Sequence, residues 1–273
     1  MARSPPEQEL SEHFADEYRR ARAPVMLDLE RAVCGCDYGA TSWTTRSEAQ
    51  RMSRLLALGK GRKLLEIGAG SGWPALYLAG RSGCEATLTD VPRDALGIAA
   101  DRVARESLQD KVFLAVADGA ELPFKAERYD AISHSDVLCC LAPKREVLNE
   151  CRRVIRRGGT MVFSVISVAA GLAGPEYERA VESGPPFVAA ECGYPQLLEE
   201  TGWSLDDRID LTASYEKTCR RFIREAEARA DAMQALLGES ELNEMLAKRR
   251  KNIQAVADGI VRRDLFVATA CER

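Results

Sequence analysis

The chain has 273 residues, enough for one large α/β core with an appended subdomain, and 46% of them are apolar, which supplies an ordinary globular core. Its formal net charge is −4, with acidic and basic residues mixed throughout, so it shows no basic footprint for nucleic acid. Nine cysteines, an odd number with no repeating spacing, argue against a disulfide framework and against a paired Cys-x-x-Cys zinc site, so no metal is expected.

Along the chain, residues 1–24 are charged and lack the apolar core of a signal peptide or a membrane span. Residues 6–32 read as a helix with Leu10, Phe14 and Tyr18 at spacing four. A second helix is expected over 47–58, carrying Met52, Leu55 and Leu56, and Gly59 and Gly61 end it. From Lys63 short apolar runs alternate with helical segments. Strands are expected at 64–67, 86–89, 112–116, 129–133 and 160–168, and helices at 74–81, 95–106 and 144–154. Such alternation implies right-handed βαβ units around a parallel sheet covered on both faces. The apolar stretch 160–174 is glycine-interrupted and only about 15 residues long, short of the roughly 20 a spanning helix needs. After Gly171 comes a glycine- and proline-rich stretch with a short helix, then helix 195–201 and strand 203–211. Two long charged helices follow, 214–237 and 239–262, with Gly238 at the turn between them. A final strand is expected at 265–270.

The segment Leu64-Leu65-Glu66-Ile67-Gly68-Ala69-Gly70-Ser71-Gly72 is a strand followed by a glycine-rich turn. Glycines there let the backbone turn tightly and let a ligand approach closely. The turn lies at the carboxyl end of the first parallel strand, where open sheets bind ligands. A dinucleotide fingerprint would need glycine at position 73, which is Trp73, and no Gly-Lys-Ser/Thr follows for a phosphate-binding loop. Asp90 ends the second strand, where its carboxylate can accept from two vicinal ribose hydroxyls. Asp118 and Gly119 follow the third strand, and Ser133-His134-Ser135-Asp136 closes the fourth.

These strand ends, taken together over roughly residues 36–168, resemble the class I S-adenosylmethionine-dependent methyltransferases, in the branch of ubiquinone-type and small-molecule N-, O- and C-methyltransferases. Arg152-Arg153-Val154-Ile155-Arg156-Arg157-Gly158-Gly159 resembles the family's turn before its fifth strand, with Arg157 where proline is common. Asp37-Tyr38-Gly39 and Thr44-Thr45 resemble its cofactor-lid segment. The resemblance implies a Rossmann-like, doubly wound, mostly parallel seven-stranded sheet with an antiparallel last strand, plus a helical cap. Residues 1–58 would be helices over the cofactor site. Residues 59–170, 195–213 and 263–273 would form the core, and 171–194 with 214–262 the substrate-covering cap.

By the same resemblance the cofactor is S-adenosyl-L-methionine, leaving as S-adenosyl-L-homocysteine. Glu66, Gly68, Ala69, Gly70 and Gly72 would surround its methionine part. Asp90 would hold the ribose, Val91 would pack on adenine, and Asp118 and Gly119 would face the adenine edge. Ser133 would contribute backbone near the sulfonium, while Tyr38, Thr44 and Thr45 would close over the methionyl end.

The candidate catalytic residues are His134, at the mouth of the fourth strand, Cys140 and Tyr38. Many relatives carry histidine shortly after that strand, and Cys140 stands there in this chain. The vicinal pair Cys139-Cys140, with Cys34 and Cys36, raises a thiophilic reading in which trivalent arsenic is the acceptor. Tyr177, Tyr194 and Tyr215 are the candidate substrate contacts. The partner expected is a small-molecule acceptor, without nucleic acid or membrane, with a homodimer as an open oligomeric state and the cytoplasm as the location. Two other readings stand beside methyl transfer. One is a regulatory protein that binds the cofactor without turnover. The other is an NAD-dependent oxidoreductase, which Trp73 disfavours.

Overall fold

The computed structural model describes residues 5–271; the outermost parts of the expected first and last segments, 1–4 and 272–273, lie outside the described residues. Three helices lead in: α1 (Pro5–Ala21), α2 (Pro24–Cys34) and α3 (Arg46–Leu55). The single helix expected over 6–32 is therefore broken. Ala23 is extended (φ −61°, ψ 140°) and Pro24 opens α2. A proline ring crowds its predecessor out of the helical region but fits a helix's first turn. Helix α3 begins at a reciprocal cap. Glu48 N donates to Thr45 Oγ1 (3.3 Å) and Thr45 N donates to Glu48 Oε2 (2.9 Å).

The seven strands are β1 (Lys63–Ile67), β2 (Glu85–Asp90), β3 (Val112–Val116), β4 (Tyr129–Ser135), β5 (Ile155–Val168), β6 (Trp203–Asp210) and β7 (Val261–Ala270). They form one sheet in the order β3-β2-β1-β4-β5-β7-β6. The first five are parallel, and β7 runs antiparallel to both β5 and β6. This is the Rossmann-like methyltransferase arrangement, with the expected antiparallel last strand. Leu65 and Leu64 show why the central strands read as apolar runs. Successive side chains point to opposite faces. Leu65 packs with Val147 and Leu148 of α6 (Lys144–Val154), whereas Leu64 packs with Leu76 and Ala99 of α4 (Ala75–Ser82) and α5 (Arg93–Arg105). The run 112–116 reads like a central strand, yet it is the sheet edge and leaves Phe113 and Val116 about half exposed.

Between β5 and β6 lie α7 (Gly174–Ser183) and α8 (Tyr194–Glu200). The cap between β6 and β7 has three helices instead of two: α9 (Thr212–Glu227), α10 (Ala230–Leu237) and α11 (Glu239–Ala257). Helix α11 stops five residues short of the expected end, and Gly259 makes the left-handed turn (φ +75°) into β7. Strand β7 thus begins at Val261 and not at Leu265. Arg262-Arg263-Asp264 looks like a solvated helix face in sequence. In the fold Arg263 and Asp264 are fully buried within β7, and each meets an opposite charge supplied by a distant element. Met233, Leu242 and Leu246 of the cap pack on Leu29 and Val33 of α2. Among the described residues no helix is long and apolar enough to cross a membrane.

Candidate functional site

Neighbouring strands β1 and β4 mark the point where the strand order reverses, and a crevice opens at their carboxyl ends. The glycine-rich turn lies there. Gly68 has φ +62°, and a Cβ on it would sit 2.6 Å from Val137. Gly70 has φ +53°, and a Cβ on it would run into the Tyr18 hydroxyl. Both the left-handed backbone and the close approach require glycine. Asp90, ending β2, clamps this turn: it accepts from Gly70 N and from Val91 N, each at 2.7 Å. Asp118, beyond β3, accepts from Ala120 N at 3.0 Å.

Gly68, Asp90 and Asp118 line one cavity of about 250 Å³, and its opposite wall comes from α1, the Ala40–Trp43 stretch, α9 and α11. On the sheet side two hydroxyls, Ser71 Oγ in the glycine turn and Ser135 Oγ at the end of β4, are buried and have no hydrogen-bond partner among the described residues. Buried polar atoms are rarely left unpaired, so these two suit a polar ligand.

Asp136 lines the cavity just beyond β4 and is gripped from behind by the fully buried Arg263, which also holds Glu48 of α3. On the cap side the Tyr215 hydroxyl donates to Asn252 Oδ1 (2.8 Å), and Asn252 Nδ2 donates to Ser183 O (3.0 Å). These bonds tie α9, α11 and α7 into one lid.

Residues 65–163 match the family model for a methyltransferase domain, and that span holds the glycine turn, Asp90 and Asp118. That segment has the signature of a methyltransferase domain, and the chain is similar to the class I S-adenosylmethionine-dependent methyltransferases. Methyltransferase GfsG of Streptomyces halstedii is 30% identical over 175 residues, which cover 62% of this chain and 61% of that protein. The match thus spans about three fifths of that curated relative's length. Among solved structures, phosphoethanolamine N-methyltransferase 2 of Haemonchus contortus, in complex with phosphomonomethylethanolamine and S-adenosylhomocysteine, superposes with a TM-score of 0.77 at 16% identity, covering 95% of this chain and 61% of that one. The [4+2]-cyclase SpnF superposes with a TM-score of 0.72 at 20% identity, covering 100% of this chain and 99% of that one. These structural likenesses show the fold.

The cavity gathers some of the sequence candidates and leaves others out. Gly68, Ala69, Asp90, Val91, Asp118, Cys140 and Tyr215 lie on its wall. Gly70 backs it through its bond to Asp90, and Gly72 packs on Leu76 behind the turn. Gly119 is buried against Ile67 and does not reach the cavity. Glu66 lies fully buried beneath the turn, where it accepts from Ser133 Oγ. Burial pushes the Glu66 carboxyl up to about 8 against the pull of that bond.

The expected lid residues have other partners. Tyr38 lies under the Arg102 guanidinium, 3.8 Å from ring centroid to Cζ, packs against Trp73, and turns its hydroxyl to Glu106. Thr44 is buried, its carbonyl accepting from Trp73 Nε1 at 2.7 Å, and Thr45 is the cap of α3. The Thr45-x-x-Glu48 spacing carried that capping signal in the sequence.

His134 departs furthest from its expected role. It is fully buried, stacked on Phe163 at 4.5 Å, and neither ring nitrogen has a hydrogen-bond partner among the described residues. Burial pushes its pKa down to about 3. Side chains alternate along a strand, so His134 points away from the face of its neighbours Ser133 and Ser135. Tyr194 is buried against Phe163 and Phe266, and Tyr177 lies on the outer surface of α7; neither lines the cavity. Cys139 and Cys140 share the cavity wall, but Cys34 and Cys36 do not, so the four thiols are not brought together. Sequence reasoning missed Tyr18, Trp43 and Asn252 as cavity residues, and read Asp136 only as part of the fourth strand's end. Of the three missed, only Tyr18 had a signal, the stripe Leu10, Phe14, Tyr18, and all three of its members line the cavity.

Proposed function

We propose that this chain transfers a methyl group from S-adenosyl-L-methionine to a nitrogen, oxygen or carbon atom of a small-molecule acceptor. One observation carries the reading. The glycine turn, Asp90 and Asp118 at the sheet edge share a single cavity with Tyr215 and Asn252 of the cap.

The sulfonium of the cofactor supplies an already activated methyl group. Asp90 would accept from the ribose hydroxyls, Val91 would pack on adenine, and Asp118 would accept from the adenine amino group. The backbone of Gly68 and Ala69, with the hydroxyls of Ser71 and Ser135, would surround the amino-acid end. Glu66 would support that end from below, itself oriented by Ser133. Helices α1, α9 and α11 wall the cavity and would limit the access of water to it. Holding acceptor and donor in line can lower a barrier by about 7–11 kcal/mol without chemical help. His134 is sealed from the cavity, so the acceptor proton does not go to it. Of the three catalytic candidates, Cys140 alone is on the wall.

A methyl-transfer assay across alcohols, phenols, amines and activated carbon acids, reading S-adenosylhomocysteine release and a 14-dalton product gain, tests this. A fold does not fix a reaction. The whole-chain likeness to a [4+2]-cyclase supports a second reading, in which the cavity shapes a substrate without methylating it. Cofactor binding without product across that panel would favour this second reading, or a regulatory binder.

A further inference from the structure

One cation on the cap wall of the cavity has no ion-pair partner among the described residues. Three other cap arginines are paired, Arg220 with Glu216 (2.7 Å), Arg229 with Glu225 (2.6 Å) and Arg250 with Glu227 (2.6 Å), while Arg221 and Arg224 lie off the cavity wall. Arg249 lines the cavity and forms no ion pair among the described residues. Its Nε is buried without a hydrogen-bond partner. Its guanidinium lies over Trp43, 4.7 Å from Cζ to the ring centroid, and 5.7 Å from that of Phe222. Trp43 is fixed in turn by edge contacts with Tyr215 and Phe222.

A guanidinium resting on aromatic faces offers its edge, where the N–H bonds lie, to a planar or tetrahedral oxyanion. An acid that lines the same cavity, Glu17, is hydrogen-bonded to His13 at 3.3 Å. Burial acts to raise the Glu17 pKa, but His13, with the charges of Arg249 and Lys248, holds it below the usual value. Lys248 adds a second cation at the wall, so positive charge remains in excess there after Glu17 is counted. The same cavity carries apolar side chains, among them Phe14, Leu141, Ile166 and Pro186.

We propose that Arg249 is the anion anchor of the acceptor subsite, and that the acceptor is an amphipathic molecule with a carboxylate or phosphate on an apolar body. The inference rests on the methyltransferase reading above and narrows its substrate class.

The test is calorimetric titration with octanoate, octyl phosphate and 1-octanol, on protein with and without saturating S-adenosylhomocysteine. The proteins are wild type, Arg249→Gln and Arg249→Lys. At least one anion should bind about tenfold or more tightly than octanol, the size of a charge-assisted hydrogen bond. The relative affinities of octanoate and octyl phosphate tell which oxyanion is preferred. Arg249→Gln should erase the preference while leaving the octanol and S-adenosylhomocysteine affinities within about twofold of wild type. Arg249→Lys should keep part of it, which separates the charge from the packing on Trp43. Equal affinities for all three ligands in the wild type, or a preference that survives Arg249→Gln, would overturn the assignment. Loss of S-adenosylhomocysteine binding in the wild type would strike the methyltransferase reading instead, since the anion preference is also read in its absence.

Discussion

Arg263 and Asp136 meet as a fork: Arg263 Nε and Nη2 donate to the two carboxylate oxygens at 2.9 and 3.0 Å. On its other side Arg263 Nη1 lies 3.1 and 3.2 Å from the oxygens of Glu48. One guanidinium thus joins β7, α3 and the segment after β4 that carries Asp136 to the cavity. Neither carboxylate is far from full burial, so each depends on this cation.

Arg263→Met should therefore destabilise the chain by about 3–5 kcal/mol, the cost of leaving buried charges uncompensated. Urea unfolding at neutral pH measures it. Arg263→Lys should recover part of that loss, since it keeps the charge but not the fork. A loss under about 1 kcal/mol would mean that water solvates the two carboxylates.

The chain has only two histidines, so proton NMR can follow each. His13 should titrate above its ordinary value, because its hydrogen bond to Glu17 outweighs its partial burial. His134, held down to about 3 by burial, should show no titration between about pH 5 and 8. The sign for stability follows. The native state keeps His134 neutral while the unfolded chain takes up a proton below about pH 6.5. The stability it supports is full above that pH and falls as pH drops toward about 3. His134→Phe should shrink the stability difference between pH 7 and 5. Two histidine signals that both move near neutrality would contradict the sealed position.

Glu66 has the opposite sign. Its folded value, near 8, lies above the unfolded value of about 4.3. The native state holds a proton that the unfolded chain releases, so this stabilisation is full below about pH 4 and lost as pH rises toward 8. Glu66→Gln should flatten that decline. Wild-type and variant stability curves that run parallel from pH 5 to 8 would contradict it.

The core was legible because its signals are local. Leu64–Ile67 and Ala86–Thr89 are apolar runs, and the glycine turn and Asp90 lie at their ends. The cap was less legible because its boundaries depend on tertiary partners. Arg263 and Asp264 look like helix surface until Asp136, Glu48 and Arg208 are brought to them across the sheet. His134 shows the same limit: expected at the mouth of the fourth strand, it lies within β4, where one residue of register decides whether a side chain faces the cavity or Phe163. Arg249 was invisible for a different reason. Nothing local distinguishes it from Arg250, which is paired with Glu227 on the outer face.

The most direct test is calorimetric titration of wild type and Asp90→Ala with S-adenosylmethionine, S-adenosylhomocysteine, NAD and NADP. Wild type should bind the two sulfur ligands at micromolar concentration and should not bind NAD or NADP. Asp90→Ala should lose about tenfold or more, because the ribose acceptor and the clamp on Gly70 disappear together. Wild-type protein that ignores both sulfur ligands, or an Asp90→Ala variant that binds them as well as wild type, would contradict it.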